Sequence, residues 1–299
     1  VLVCACVCFC VIDHAQDWVT CCCFLGDGRV LSGGADSKLC LWGSGSAPRC
    51  TDLKDHRASI SHLMVDEQNV AVSSSYDHSL IVWDLERVRA FHPLRGHRHP
   101  VCTFAWKNSL VVSGSRDGEL RFWDINTGTC VHKVSDAHGG KQVLAVQSVS
   151  EGEDATELVM TGGQDGNLCV FDMRSGSLSM KVAAGGGVNC ISHDPSLTMA
   201  VTGGSNRLVN AYDFRGGAMD ALWSNDSNKD IVTCLHTVDN LVVSGGGNGW
   251  VLVMDGATGD TLYGVGASRV GAVQDLKVLP DKLVTIGQDG CGLVFDFLD

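Results

Sequence analysis

Proline is scarce in this chain, with 5 in 299 residues against 36 glycines. That excludes proline-rich linkers and points to many tight turns between regular strands. Charged residues make up only 19% and hydrophobic residues 44%, which excludes wholesale disorder and leaves ample material for a buried core. Basic residues are the minority, 22 Lys and Arg against 34 Asp and Glu, for a net charge of −12. A surface of that sign repels phosphate backbones, so nucleic acid is not expected as a partner. The opening VLVCACVCFCVI is 12 residues long, too short to span a bilayer, and no basic residue precedes it. Neither a membrane segment nor a signal peptide is expected. The chain begins on Val rather than Met and is expected to be a fragment.

Catalytic signatures are missing as well. G-x-x-x-x-G-K-[ST], G-x-S-x-G and H-E-x-x-H do not occur, and no two histidines stand in H-x-x-x-H spacing. The 15 cysteines include no C-x-x-C pair, which removes support for a zinc ribbon or a redox dithiol. They are expected to be buried, reduced, small hydrophobes of a cytoplasmic or nuclear protein. A metal site among Cys4, Cys6, Cys8 and Cys10 is weighed and set aside, so no metal, cofactor or catalytic residue is expected.

What the chain does have is repetition. Ser32, Ser73, Ser113, Thr161, Thr202, Ser244 and Thr285 are each followed four residues later by Asp36, Asp77, Asp117, Asp165, Asn206, Asn248 and Asp289. Six residues further on stand Trp42, Trp83, Trp123, Phe171, Tyr212, Met254 and Phe295. Successive members of this last series are 41, 40, 48, 41, 42 and 41 residues apart. Seven units with two locked offsets mark an internal repeat. Within a unit, LVVSGSRDGELRFWDI reads as a hairpin of two apolar strands around S-R-D-G. VTCCCFL, VCTFAW, VNCIS and IVTCLH supply a strand upstream, and TCVHKV and SLSMKV one downstream, giving four strands per unit and no helix.

These units resemble the WD40 family. The dipeptides Trp83-Asp84, Trp123-Asp124, Phe171-Asp172, Tyr212-Asp213, Met254-Asp255 and Phe295-Asp296 carry the likeness, with Trp42-Gly43 in the first unit. So do the upstream histidines His14, His56, His97 and His138. Repeat three looks most like F-box/WD40-type repeats. The resemblance implies an all-β, seven-bladed propeller formed as a single domain over residues 1–299, its ring closed by the N-terminal strand. Ala5 to Cys10 are expected to complete blade seven. It also implies a hydrogen-bonded structural tetrad in each of the first three blades: His14, Ser32, Asp36, Trp42; His56, Ser73, Asp77, Trp83; and His97, Ser113, Asp117, Trp123. Blades five to seven lack the histidine.

The function implied is a non-catalytic protein-interaction scaffold, monomeric within a hetero-complex. In the family, two sets of loops line one face. One set places Ala35, Tyr76, Arg116, Gln164, Ser205, Gly247 and Gln288 there, the other Trp18, Ser59, Pro100, Gln142, Gly187, Ile231 and Ala272. Trp18, Tyr76 and Arg116 are the residue types that anchor interfaces, and Arg57, Arg98 and His99 share the same loops. The expected partner is another protein or an acidic or phosphorylated peptide. The alternative is a substrate receptor of a cullin-type ubiquitin ligase. It rests on Phe171-Asp172-Met173-Arg174 and Tyr212-Asp213-Phe214-Arg215, which approach W-D-x-R and would offer Arg174 and Arg215 to an adaptor. Only Arg116 fits a phosphodegron-type pattern, since Thr20, Ser61, Cys102, Leu144, Asn189, Thr233 and Gln274, at the inner-strand positions where such receptors carry arginines, are none of them basic. An acidic insertion, SVSEGEDATE, is expected on the opposite face as a mobile loop.

Overall fold

Short apolar runs joined by Asp- and Asn-containing turns fold as antiparallel hairpins, and the hairpins build every sheet. The computed structural model describes residues 2–3, 19–27, 29–43, 50–149, 157–194, 199–214, 218–268, 271–278, 282–288 and 292–297. Among these, every regular element is a β-strand. No helix among the described residues is long and apolar enough to cross a membrane.

Two compact units are present, Ile12–Val143, and Leu144–Asp299 with Val1–Val11. The first holds three four-stranded meanders. The first sheet is Val19–Phe24, Val30–Gly34, Leu39–Trp42 and Cys50–Leu53. The second is Ile60–Val65, Val70–Ser75, Ser79–Asp84 and Arg89–Arg95. The third is Val101–Lys107, Leu110–Ser115, Leu120–Asp124 and Thr129–Val134. The other unit repeats the arrangement over Val143–Ala183, Val188–Asn225 and Val232–Gly266. Its last sheet is Val273–Val278, Lys282–Gly287 and Gly292–Phe297, with Leu2–Val3 added at the outer side. Leu2 is paired with Phe297 and Val3 with Asp296. The stretch assigned to this sheet by the sequence, Ala5–Cys10, lies outside the described residues.

One turn recurs in the hairpins. The side-chain oxygen of each Asp or Asn accepts the backbone N–H two residues on. This holds for Asp36 with Lys38 (3.2 Å), Asp77 with Ser79 (3.0 Å), Asp117 with Glu119 (3.1 Å), Asp165 with Asn167 (3.2 Å), Asn206 with Leu208 (3.1 Å) and Asn248 with Trp250 (3.2 Å). The residue between them takes a positive φ, such as +72° at His78 and +81° at Gly118. Either side chain supplies that acceptor, which is why Asn replaces Asp without breaking the repeat.

Neighbouring sheets pack face to face and bury the core between them. Leu31, Leu39, Leu41, Ile60, Leu63 and Trp83 form one cluster, and Val72, Leu80, Val82, Val101, Phe104 and Trp123 another. Polar side chains on the innermost strands stitch adjacent sheets. Ser61 donates to the Val101 carbonyl (2.8 Å), Asn189 to Val232 (2.8 Å) and Thr233 to Val273 (2.5 Å). Such bonds give a backbone carbonyl of one sheet a side-chain donor from the next. At Gly203, which follows the recurrent Thr202, there is no room for a side chain. A Cβ on Gly203 would stand 2.4 Å from Val232 Cγ1 and 2.7 Å from Cys190 Sγ. Gly203→Ala is therefore expected to cost about 1–3 kcal/mol of unfolding free energy in urea denaturation. An unchanged midpoint would mean that the next inner strand yields freely.

Candidate functional site

The second sheet brings all four residues of its repeat together. Trp83 Nε1 donates to Ser73 Oγ (2.7 Å), and His56 bridges Ser73 Oγ (2.8 Å) and Asp77 Oδ2 (2.9 Å). Ionised Asp77 only accepts, so His56 carries a proton on Nδ1, and in the neutral ring Nε2 accepts from Ser73. Burial works to raise the Asp77 carboxyl, but bonds from His56, Ser79 and the Arg57 amide overcome it and hold it well below the usual carboxylate range. In the first sheet Trp42 Nε1 donates to Ser32 Oγ (2.8 Å), and Asp36 pairs with Lys38 (3.3 Å). His14 lies outside the described residues.

The third sheet corrects the expected tetrad. His97 Nε2 and Trp123 Nε1 both meet Ser113 Oγ, at 2.6 and 2.8 Å. Asp117, however, bonds Ser115 and the Glu119 amide instead of His97. The residue facing His97 Nδ1 is Glu119, at 3.6 Å and beyond hydrogen-bond reach, which leaves that nitrogen unpartnered. Glu119 is buried and engaged by Arg121 (2.5 Å) and Lys133 (2.7 Å). These two cations take up its charge, and Asp117 is left for the turn. These trios are structural in their geometry: Ser73 and Ser113 are fully buried, where no substrate reaches their hydroxyls.

Within five of the sheets, the paired loops from the two sets meet by one backbone bond. The Tyr76 amide donates to Ser59 (3.0 Å) and Arg116 to Pro100 (3.0 Å), with the same bond from Ser205 to Gly187, Gly247 to Ile231 and Gln288 to Ala272. In the Ile12–Val143 unit they enclose a cavity of about 200 Å³ lined by Tyr76, Pro100, Cys102, Arg116 and Gln142. Tyr76 is 50% exposed and its hydroxyl is pushed up by burial and Cys102 against the pull of Arg116. Arg57, Arg98, His99 and Arg116 are all exposed. His99 stands 3.9 Å from Asp117, while no carboxylate among the described residues pairs with Arg57, Arg98 or Arg116. Arg57, Arg98 and His99 are outside the cavity lining, and Trp18 lies outside the described residues.

This loop and hairpin pattern agrees with the family comparison. A model described as "WD domain, G-beta repeat" matches residues 6–43, 48–84 and 89–124. Residues 6–124 carry three WD40 repeats. Among curated relatives, autophagy-related protein 16 of Arabidopsis thaliana is 28% identical over 36% of this chain and 22% of its own length. Cell division control protein 4 of Saccharomyces cerevisiae is 28% identical over 34% of this chain and 14% of its own. Nuclear distribution protein nudF 1 of Talaromyces marneffei is 34% identical over 37% and 25%. The match thus spans a quarter or less of each of these WD40 relatives. Among solved structures, the computationally designed Ika8 protein superposes with a TM-score of 0.79 at 25% identity, covering 93% of this chain and 83% of its own.

Sequence reading missed three features of these WD40 sheets. Glu119 is one. Asn228 is the second: it is buried 16 residues before Ser244, the histidine's place, and accepts from Ser244 Oγ (3.4 Å). The third is the convergence of Cys40, Cys50 and Asp52, whose ligand atoms all lie within 4.8 Å of one another. Their sequence spacing carries no ligand signature; the strand register creates the cluster. Of the two adaptor candidates, Arg174 is 76% exposed with Nε 3.5 Å from Glu157, and Arg215 lies outside the described residues. The acidic insertion is outside them too, apart from its ends.

Proposed function

We propose that this WD40 chain is a non-catalytic interaction scaffold whose Tyr76–Arg116 cavity takes an acidic or phosphorylated peptide. The observation that supports it is an exposed guanidinium, without a carboxylate partner among the described residues, beside a half-exposed tyrosine ring. A guanidinium of this kind offers paired donors to a carboxylate or phosphate, and the ring offers a flat apolar wall. Arg57 and Arg98 add positive potential around it on a chain whose net charge is −12. The finer architecture belongs to the same proposal: seven blades in one ring, closed by the N-terminal strand, with the scaffold monomeric inside a cytoplasmic or nuclear complex.

Arg116→Ala is expected to weaken binding of a phosphoserine peptide by about tenfold, which is about 1.4 kcal/mol, in a fluorescence-anisotropy titration. The melting temperature stays unchanged, because the side chain is exposed. A lower melting temperature with unchanged affinity would make Arg116 structural and end this reading. The ligase-receptor alternative draws on the exposed Arg174. Capture of a cullin adaptor from native extract, lost in the Arg174→Ala, Arg215→Ala double variant, would favour it.

A further inference from the structure

The outer edge of the first sheet carries a second constellation, unrelated to the peptide cavity. Cys40 stands directly opposite Asp52 in the strand pairing, and Trp42 opposite Cys50. Cys50 and Asp52 are two apart on one strand, so all three side chains share one face of the ladder. Cys40 Sγ is 3.7 Å and Cys50 Sγ 3.4 Å from the same oxygen, Asp52 Oδ1. A tetrahedral zinc with Zn–S of about 2.3 Å and Zn–O of about 2.1 Å has S···O edges of about 3.6 Å. The two measured distances bracket that edge.

We propose that Cys40, Cys50 and Asp52 bind a zinc ion, with solvent water in the fourth position. The donor set selects the metal: two sulfurs exclude magnesium and calcium, which take oxygen, and a tetrahedral S₂O arrangement suits zinc. Access and rigidity are both present. Cys40 is 4% exposed and held in the ladder, while Cys50 and Asp52 face solvent. Coordination displaces one proton from each thiol to solvent, so binding strengthens as pH rises. Lys54 stands 2.7 Å from Asp52 Oδ2, the carboxylate oxygen that the metal does not use.

The test is a titration of the reduced full chain with Co²⁺, followed by displacement with Zn²⁺, read by absorbance. The wild type is expected to take one equivalent of Co²⁺, with a thiolate-to-cobalt charge-transfer band and intense tetrahedral visible bands that Zn²⁺ abolishes. Cys50→Ser, at an exposed position, is expected to keep its melting temperature. It should lose more affinity than the roughly 10–100-fold that an outer-shell partner costs. Asp52→Asn should keep the thiolate band and bind more weakly. A wild type without the thiolate band overturns the proposal. So does a band of equal intensity and affinity in Cys50→Ser, which would place the metal on other cysteines of the chain.

Discussion

Trp83→Ala is expected to lower the unfolding free energy by about 3–5 kcal/mol. The ring is 1% exposed and packs in the cluster of Leu31, Leu39, Ile60 and Leu63, so its removal leaves a cavity between two sheets. The truncation also removes the donor to Ser73 Oγ. Trp83→Phe separates the two effects. It loses the N–H while keeping most of the apolar ring volume, and Ser73 stays bonded to His56. That change is expected to cost about 1–2 kcal/mol, read by urea denaturation. Equal losses in the two variants would show that the hydrogen bond, not the packing, carries the stability, contrary to the face-to-face core described above.

Acid is expected to destabilise the protein well above the pH at which carboxylates titrate. Burial, aided by the Arg121 charge and opposed by Glu119, pushes His97 down to about 4. In the unfolded chain the ring titrates near 6.5. Below pH 6.5 the unfolded state therefore binds the proton that the folded state refuses, and stability falls as pH drops toward 4. Between pH 7 and pH 5 this single group removes about 2 kcal/mol. His62, also pushed down to about 4 by burial, acts in the same direction. Asp77 does not act in this window. Its carboxyl is depressed in the fold, so its contribution persists until pH falls below the ordinary carboxylate range. The measurement is the unfolding free energy of wild type and His97→Gln at both pH values. The difference between the proteins cancels every group they share. A wild-type loss about 2 kcal/mol larger than that of His97→Gln is expected, and parallel losses would contradict the buried neutral imidazole.

The strands were legible because each is written locally. VCTFAW and TCVHKV fold as Val101–Lys107 and Thr129–Val134, and S-R-D-G closes the hairpin between Ser115 and Glu119. The offset from Ser73 to Trp83 was legible for the same reason, since cross-strand neighbours in a hairpin of fixed length fall at fixed spacing. What escaped depends on distances the spacing does not encode. Asp117 and Asp77 occupy the same repeat position, yet only Asp77 reaches its histidine. The difference is Glu119 in place of Ser79: a longer acid, anchored by Arg121 and Lys133, stands before the His97 ring. Cys40, Cys50 and Asp52 escaped because they meet through a register set by the length of the loop between their strands. At the Tyr76–Arg116 cavity, Tyr76, Pro100, Arg116 and Gln142 stand at loop positions that the resemblance places on one face, whereas Cys102 enters its wall through the fold, accepting from Gln142 Nε2 at 3.2 Å.

The central claim is that the Tyr76–Arg116 cavity is a recognition site for anionic peptides on a stable scaffold. Its most direct test is a panel of matched phosphorylated and unphosphorylated peptides, presented to the wild type and to the Tyr76→Ala, Arg116→Ala double variant. Melting curves are taken on the same samples. The account predicts that phosphorylated or acidic members bind the wild type, that the double variant loses them, and that both proteins melt together. Peptides retained equally by the two proteins, or a double variant that unfolds early, would contradict it.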